Sequence, residues 1–188
     1  VSFRVLVIPE DPTNNGYILK PLVESILADV GKPNAKVQVL SNPRLNGFDE
    51  ATKAIRSDEL IQRYGFFDLW LFLPDADCAT PEAMSVLEQA LHARQIPLLA
   101  CPAQPEVEIY PCVAYRNELG ATWDEVRAHV RMKETYFDPL LVSRGDPRRA
   151  GGGRDQLIKA SLTPLRTLFT FCPELQILRD RIAQYFSA

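Results

Sequence analysis

Four carboxylates stand directly after two apolar runs: Glu10 and Asp11 follow "VLVIP", and Asp75 and Asp77 follow "LWLFLP". A strand climbing out of a core needs a polar exit, so either pair alone also reads as a solvated turn. Both pairs together ask for more. Carboxylates forced close to one another repel and take up protons more readily, unless a cation sits among them. Hard oxygen ligands favour magnesium, calcium or manganese over zinc, and magnesium characteristically shares its site with a substrate phosphate. The residue types therefore point to divalent-metal phosphoryl chemistry, provided the fold brings Glu10 beside Asp75 and Asp77.

The pattern of the first half predicts that it does. Residues 3–9 form a β-branched run ended by proline, and residues 17–30 place Ile18, Leu22, Ile26 and Val30 at helical spacing before Gly31. A second short strand is expected over 35–40, one polar-faced helix over 49–65, and a third, nearly all-apolar strand over 67–74. A helix over 81–95 opens with Pro81 after Thr80, and a fourth strand follows over 96–102. Alternating strands and helices with continuous apolar strands imply a parallel sheet covered on both faces, with right-handed crossovers. In such a sheet ligands collect beyond the carboxyl ends of the strands, where both acidic pairs fall.

The expected architecture is an α/β Rossmann-like core over residues 1–104. Residues 105–188 form a helical extension, read as a cap over one end of the sheet and part of one compact unit. The segment 143–159 reads as a long mobile loop running into a helix. At 188 residues, with 46% hydrophobic and 24% charged side chains, the chain is expected to fold around one core. Its net charge of −3 excludes a globally basic wrapper for nucleic acid, so phosphate contacts would need a local patch. Cys78, Cys101, Cys112 and Cys172 form no Cys-x-x-Cys pair, which favours reduced thiols. The opening residues show neither a basic leader nor a cleavage site, and no apolar run is long enough to cross a bilayer, so a cytoplasmic location is expected.

A glutamate directly after the first strand, a following helix "GYILKPLVESIL" and Asp-x-Asp after a third apolar strand together resemble the TOPRIM domain of topoisomerases, primases and OLD-type nucleases. More specifically, the chain resembles the small stand-alone TOPRIM-like proteins linked to bacterial phage defence. Their pattern continues with a "PEVE" segment, matched here by Pro105, Glu106, Val107 and Glu108, and the resemblance spans about residues 3–116. It implies a TOPRIM fold and magnesium- or manganese-dependent hydrolysis of a nucleic-acid phosphodiester. It implies Glu10 as general acid/base or metal ligand, and Asp75 and Asp77 as magnesium ligands. Glu108, or Glu106, would serve a second metal or support the first. Asp11, Pro12, Thr13, Asn14 and Asn15 intervene before Gly16, where the family follows its glutamate closely with glycine. A partner ATPase or self-association is left open.

Further candidates for substrate contact are Asp11, Lys20 and the basic residues Arg148, Arg149, Arg154 and Lys159, with Arg144 nearby. They crowd the triple glycine at 151–153, which could order around a phosphate backbone; the stretch lacks the Gly-Lys-Ser/Thr ending of a Walker motif. Lys133 and Glu134 read as a surface ion pair, His92 and His129 as surface residues, and Tyr110 and Tyr115 as packing rather than covalent nucleophiles. Hydrolysis is therefore favoured over strand passage. Cys78, beside the acids, would be reactive if exposed. Two alternatives remain: a receiver-like domain phosphorylated at Asp75 or Asp77, and a TOPRIM-like scaffold that only binds.

Overall fold

A computed structural model describes residues 2–77 and 79–187. Four strands, β1 (Arg4–Pro9), β2 (Lys36–Val39), β3 (Leu69–Leu73) and β4 (Leu98–Ala100), form one all-parallel sheet in the order β2-β1-β3-β4. Between them run α1 (Gly16–Asp29), α2 (Phe48–Arg56), α3 (Asp58–Tyr64) and α4 (Pro81–His92). The α/β fold is the one expected. The chain leaves β1 toward β2 and then crosses back to β3 on the other side, so the direction of winding reverses between β1 and β3. At such a switch point the adjoining loops splay apart and leave a crevice.

The strands are apolar along their whole length because both faces are covered. Val5 and Val7 of β1 and Leu69, Leu71 and Leu73 of β3 point into one core, with α1. Leu6 and Ile8, with Trp70 and Phe72, point into the other, against α2, α3 and α4. Period-2 alternation thus splits one apolar run into two cores.

The extension carries α5 (Ile109–Cys112), α6 (Trp123–Ala128), α7 (Asp138–Arg144), α8 (Arg154–Ser161), α9 (Leu165–Phe171) and α10 (Pro173–Ser187). Its placement corrects the expectation of a cap over one sheet end. Ile109, Tyr110, Leu157, Ile158, Leu175, Leu178 and Ile182 merge with the α1-side core, so the extension is a further helical layer on that face. It buries α1 from outside, which is why Leu19, Val23 and Leu27 are as fully buried as Ile18, Leu22 and Ile26.

Two other expectations are corrected. The helix expected over 49–65 breaks at Ser57, whose backbone is extended (φ −74°, ψ 144°). Its hydroxyl accepts from Leu60 N at 3.2 Å and donates to Ala54 O at 2.7 Å, ending one helix and capping the next. The mobile loop expected over 143–159 narrows to residues 145–153, a connection between α7 and α8 that closes with a 3-10 turn at Ala150–Gly153. Gly151, Gly152 and Gly153 all adopt left-handed φ of +71°, +64° and +89°. A Cβ on Gly151 would lie 2.4 Å from Cδ2 of Tyr17, so the turn is packed against the start of α1.

Gly151→Ala is expected to lower stability more than Gly31→Ala. Both glycines have positive φ and would carry left-handed strain of about 1–3 kcal/mol on substitution, but nothing lies within 4 Å of a Cβ at Gly31. Urea unfolding of the two variants measures the difference, and equal midpoints would contradict the packed turn.

Candidate functional site

Parallel pairing of β1 with β3 sets Pro9 opposite Leu73, so the next residues of both strands leave the sheet side by side. The Asp75 amide donates to Glu10 Oε1 at 3.2 Å, joining residues 65 apart in sequence. β3 and β4 continue to associate past their ends: Ala103 N donates to Pro74 O at 2.8 Å, and Ala76 N to Pro105 O at 2.9 Å. The Asp75 side chain then turns to the extension, where Oδ1 accepts from Val107 N at 2.9 Å. This draws the "PEVE" segment to the same edge.

Five acids gather there. Asp77, exposed on the turn, acts on Glu10; Glu10, Glu106 and Glu108 act on Asp75. Glu108 is almost completely buried, at 1% exposure. Burial, reinforced by Asp77, pushes the Glu10 carboxyl up to about 7 despite the hydrogen bond from Asp75. Burial also pushes Asp75 up to about 7; Val107 N opposes the shift, while Glu108, Glu10 and Glu106 add to it. Glu106 is raised too, chiefly by burial.

One cation enters the cluster. Lys133 Nζ lies 2.9 Å from Glu108 Oε1 as an ion pair without good hydrogen-bond alignment, and the Lys133 amide donates to Glu106 Oε1 at 2.7 Å. A single residue thus holds both acids of "PEVE". Burial works against the ammonium, but Glu108, with Asp138 and Glu106, raises its pKa above the ordinary lysine value. This corrects the expected surface pair of Lys133 with Glu134, whose carboxylate instead lies 3.9 Å from Arg131. Lys133 opens a π-helical turn, Lys133–Phe137, a local widening that often accompanies functional sites.

The other candidates are engaged elsewhere. Asp11 folds back on its own loop, accepting from Thr13 N at 2.8 Å and Asn14 Nδ2 at 3.4 Å. Lys20 lines a groove between α1 and β2. Arg148 pairs with Asp146 at 3.1 Å, and Arg149 and Lys159 share Asp155 at 2.6 and 3.4 Å. Arg154 donates to Gly151 O at 3.0 Å and lies over the Phe137 ring. Arg144 pairs with Glu118 at 2.7 Å. The basic segment is therefore largely neutralised by acids of the same helical layer. His92 is exposed and His129 partly so; Tyr110 is fully buried and Tyr115 partly. The question of Cys78 reactivity lies outside the described residues.

Among the described residues no three His, Cys, Asp or Glu side chains converge as a ready-made metal cage. In kind, however, the oxygens suit a hard cation. Asp75 and Glu10 each keep one carboxyl oxygen without a backbone donor, and Glu108 Oε1 lacks a hydrogen bond though buried. Also among the described residues, no helix is long and apolar enough to cross a membrane. Comparisons of the chain with protein-family models, curated proteins and solved structures found no match.

The cluster makes stability depend on pH. Glu10 and Asp75 have ordinary values of 4.5 and 3.8 and values near 7 in the fold, so the folded chain binds more protons than the unfolded one between those limits. Stability must then fall as pH rises from about 4 through about 7. Thermal unfolding should show this decline, and Glu10→Gln with Asp75→Asn should flatten it; an unchanged slope in the double variant would refute the assignment. Removing the cation tests the opposite charge. Lys133→Met should cost about 2–3 kcal/mol, somewhat less than a fully buried pair because the lysine is partly exposed, and Glu108→Gln added to it should recover part of the loss.

Proposed function

We propose that the acids at the carboxyl edge of the sheet bind a divalent cation, magnesium or manganese, and that the chain hydrolyses phosphodiester bonds of nucleic acid in the manner of a TOPRIM nuclease, with phage defence as its setting. The observation that carries this reading is the Glu10–Asp75 junction at the β1/β3 switch point. There the Asp75 amide donates to the Glu10 carboxylate, and the carboxyls of both residues are pushed up to about 7, so both hold protons close to neutrality. Such a site gains most from a cation, which would replace those protons.

Asp75, Asp77 and Glu108 would hold the ion, with Glu10 beside it as general base. When bound, it would polarise the scissile phosphate and lower the pKa of an attacking water. The chain supplies the remainder. Glu10 Oε1 is fixed by the Asp75 amide, which leaves Oε2 to take a proton from water. A carboxyl poised near neutrality is well matched to that general-base role. Asp75 Oδ1 is fixed by Val107 N, leaving Oδ2 for the ion. Lys133, 2.9 Å from Glu108 Oε1, holds that side chain in place.

One observation favours a second reading, a scaffold that binds without cleaving: the Lys133 ammonium already supplies Glu108 with a positive charge. Incubation of labelled DNA and RNA with magnesium or manganese separates the two. Glu10→Gln and Asp75→Asn keep the acceptors for the Asp75 and Val107 amides, so they remove charge while sparing the fold. Each is expected to lower cleavage at least about a hundredfold, the scale of losing a metal-held or proton-transferring group. Manganese should raise the unfolding temperature of the wild type at pH 8 and not that of the double variant. Cleavage persisting in both variants would overturn the assignment. Labelling of Asp75 or Asp77 by acetyl phosphate would point to a receiver instead, and manganese stabilisation without cleavage to the scaffold.

A further inference from the structure

The two edges of the sheet are finished differently. At β4 the outward backbone groups of Ala100 are both occupied by side chains: its amide donates to Glu88 Oε1 at 2.6 Å, and its carbonyl accepts from Arg181 Nη1 at 3.0 Å. Arg181 Nη2 then meets Glu88 Oε2 at 2.7 Å, so an ion pair stands where another strand would lie. This is an edge closed against further pairing.

At β2 nothing of the kind is found among the described residues. Lys36 N and Leu40 N donate to Phe3 O and Val7 O of the β1 side. Alternation along a parallel ladder therefore turns the amides and carbonyls of Val37 and Val39 away from β1. Beside them lies an open groove of about 710 Å³, lined by Val37, Val39, Ser41, Gly16, Tyr17 and Lys20 among others. Tyr17, an exposed aromatic, lies along it.

Charge selects the occupant. Lys20 is the one charged side chain among the groove's lining residues, and Lys36 is exposed on β2 itself. Neither pairs with a carboxylate among the described residues. Lys36 lies on the opposite face of β2 from Val37 and Val39, which pack into the α1-side core. A strand laid along β2 sends alternate side chains to both faces, so acids at successive positions would reach both lysines. A second copy paired through β2 would instead set lysines against lysines.

We propose that β2 is a docking edge for an extended acidic peptide segment of a partner protein, which adds a fifth strand to the sheet through the backbone of Val37 and Val39. The proposal is independent of metal binding and cleavage.

Amide hydrogen exchange of the full chain tests it, with two probes: a short peptide of valines and glutamates, and a counterpart with lysine in place of glutamate. With the glutamates set as adjacent pairs between valines, so that acids fall on both faces, the acidic peptide at millimolar concentration is expected to slow exchange at Val37 and Val39 at least about tenfold, and the basic one to leave it unchanged. Val39→Pro removes an outward N–H and leaves the β1 ladder intact, so it should abolish the effect while thermal unfolding stays cooperative. Should that variant fail to fold, Lys36→Glu serves instead and is expected to weaken the acidic probe. No protection, equal protection by both peptides, or protection by a DNA oligonucleotide in place of the acidic peptide would each overturn the proposal.

Discussion

The parallel pairing of β1 with β3 is the constraint on which the site depends. It is held by buried apolar side chains on both faces, Val5, Val7, Leu69 and Leu71 on one and Leu6, Ile8, Trp70 and Phe72 on the other. None of these residues can do chemistry. Their burial nonetheless fixes Pro9 opposite Leu73 and so decides that Glu10 and Asp75 must meet. The hydrophobic term of folding is large and non-directional, while the cost of bringing like charges together is local. The first can therefore impose the second: burial pushes both carboxyls up to about 7, and the neighbouring acids add to the shift.

The extension matters because it answers part of that cost. Its entry segment is anchored by the Asp75 carboxylate through Val107 N, and its π-turn returns Lys133 to the two glutamates that segment brought in. Acid and counter-charge thus arrive on the same stretch of chain. The layer that carries them also covers α1 and shares its core. Losing the layer would expose the outer face of α1 and leave the edge without Glu106, Glu108 and Lys133. Core and extension are bound to one another through the site as well as through packing.

The legible parts of the fold were those written in short-range periodicity. The apolar runs, Thr80 before Pro81 and the acids at two strand ends all announce themselves within a few residues, which is why the sheet and the meeting of Glu10 with Asp75 could be read from the chain. Ser57 was harder: the flanking residues are sound helix formers, and only a hydroxyl ahead of Asp58 and Glu59 marks the restart. Lys133 was not legible, since a lysine beside Glu134 looks like any helical ion pair. What sends it to Glu108 is the packing of Met132 and Phe137 in the α1-side core, a tertiary fact. The glycine run misled for a similar reason: left-handed turns and flexible linkers use the same residue, and only Tyr17 against Gly151 tells them apart.

Asp75 carries two demands that pull against each other. As the acceptor for Val107 N it orders the segment that brings Glu106 and Glu108, and a carboxylate serves that bond best when ionised. Burial and the neighbouring acids favour the protonated form. Near neutrality the two nearly balance, so a modest change in local charge shifts both the proton and the strength of the hydrogen bond. A cation at this edge would resolve the conflict in one direction, ionising Asp75 and tightening its hold on Val107. The order of the "PEVE" segment and the charge at the sheet's edge are therefore coupled through one side chain, and whatever binds there also sets how firmly the extension is tied to the core.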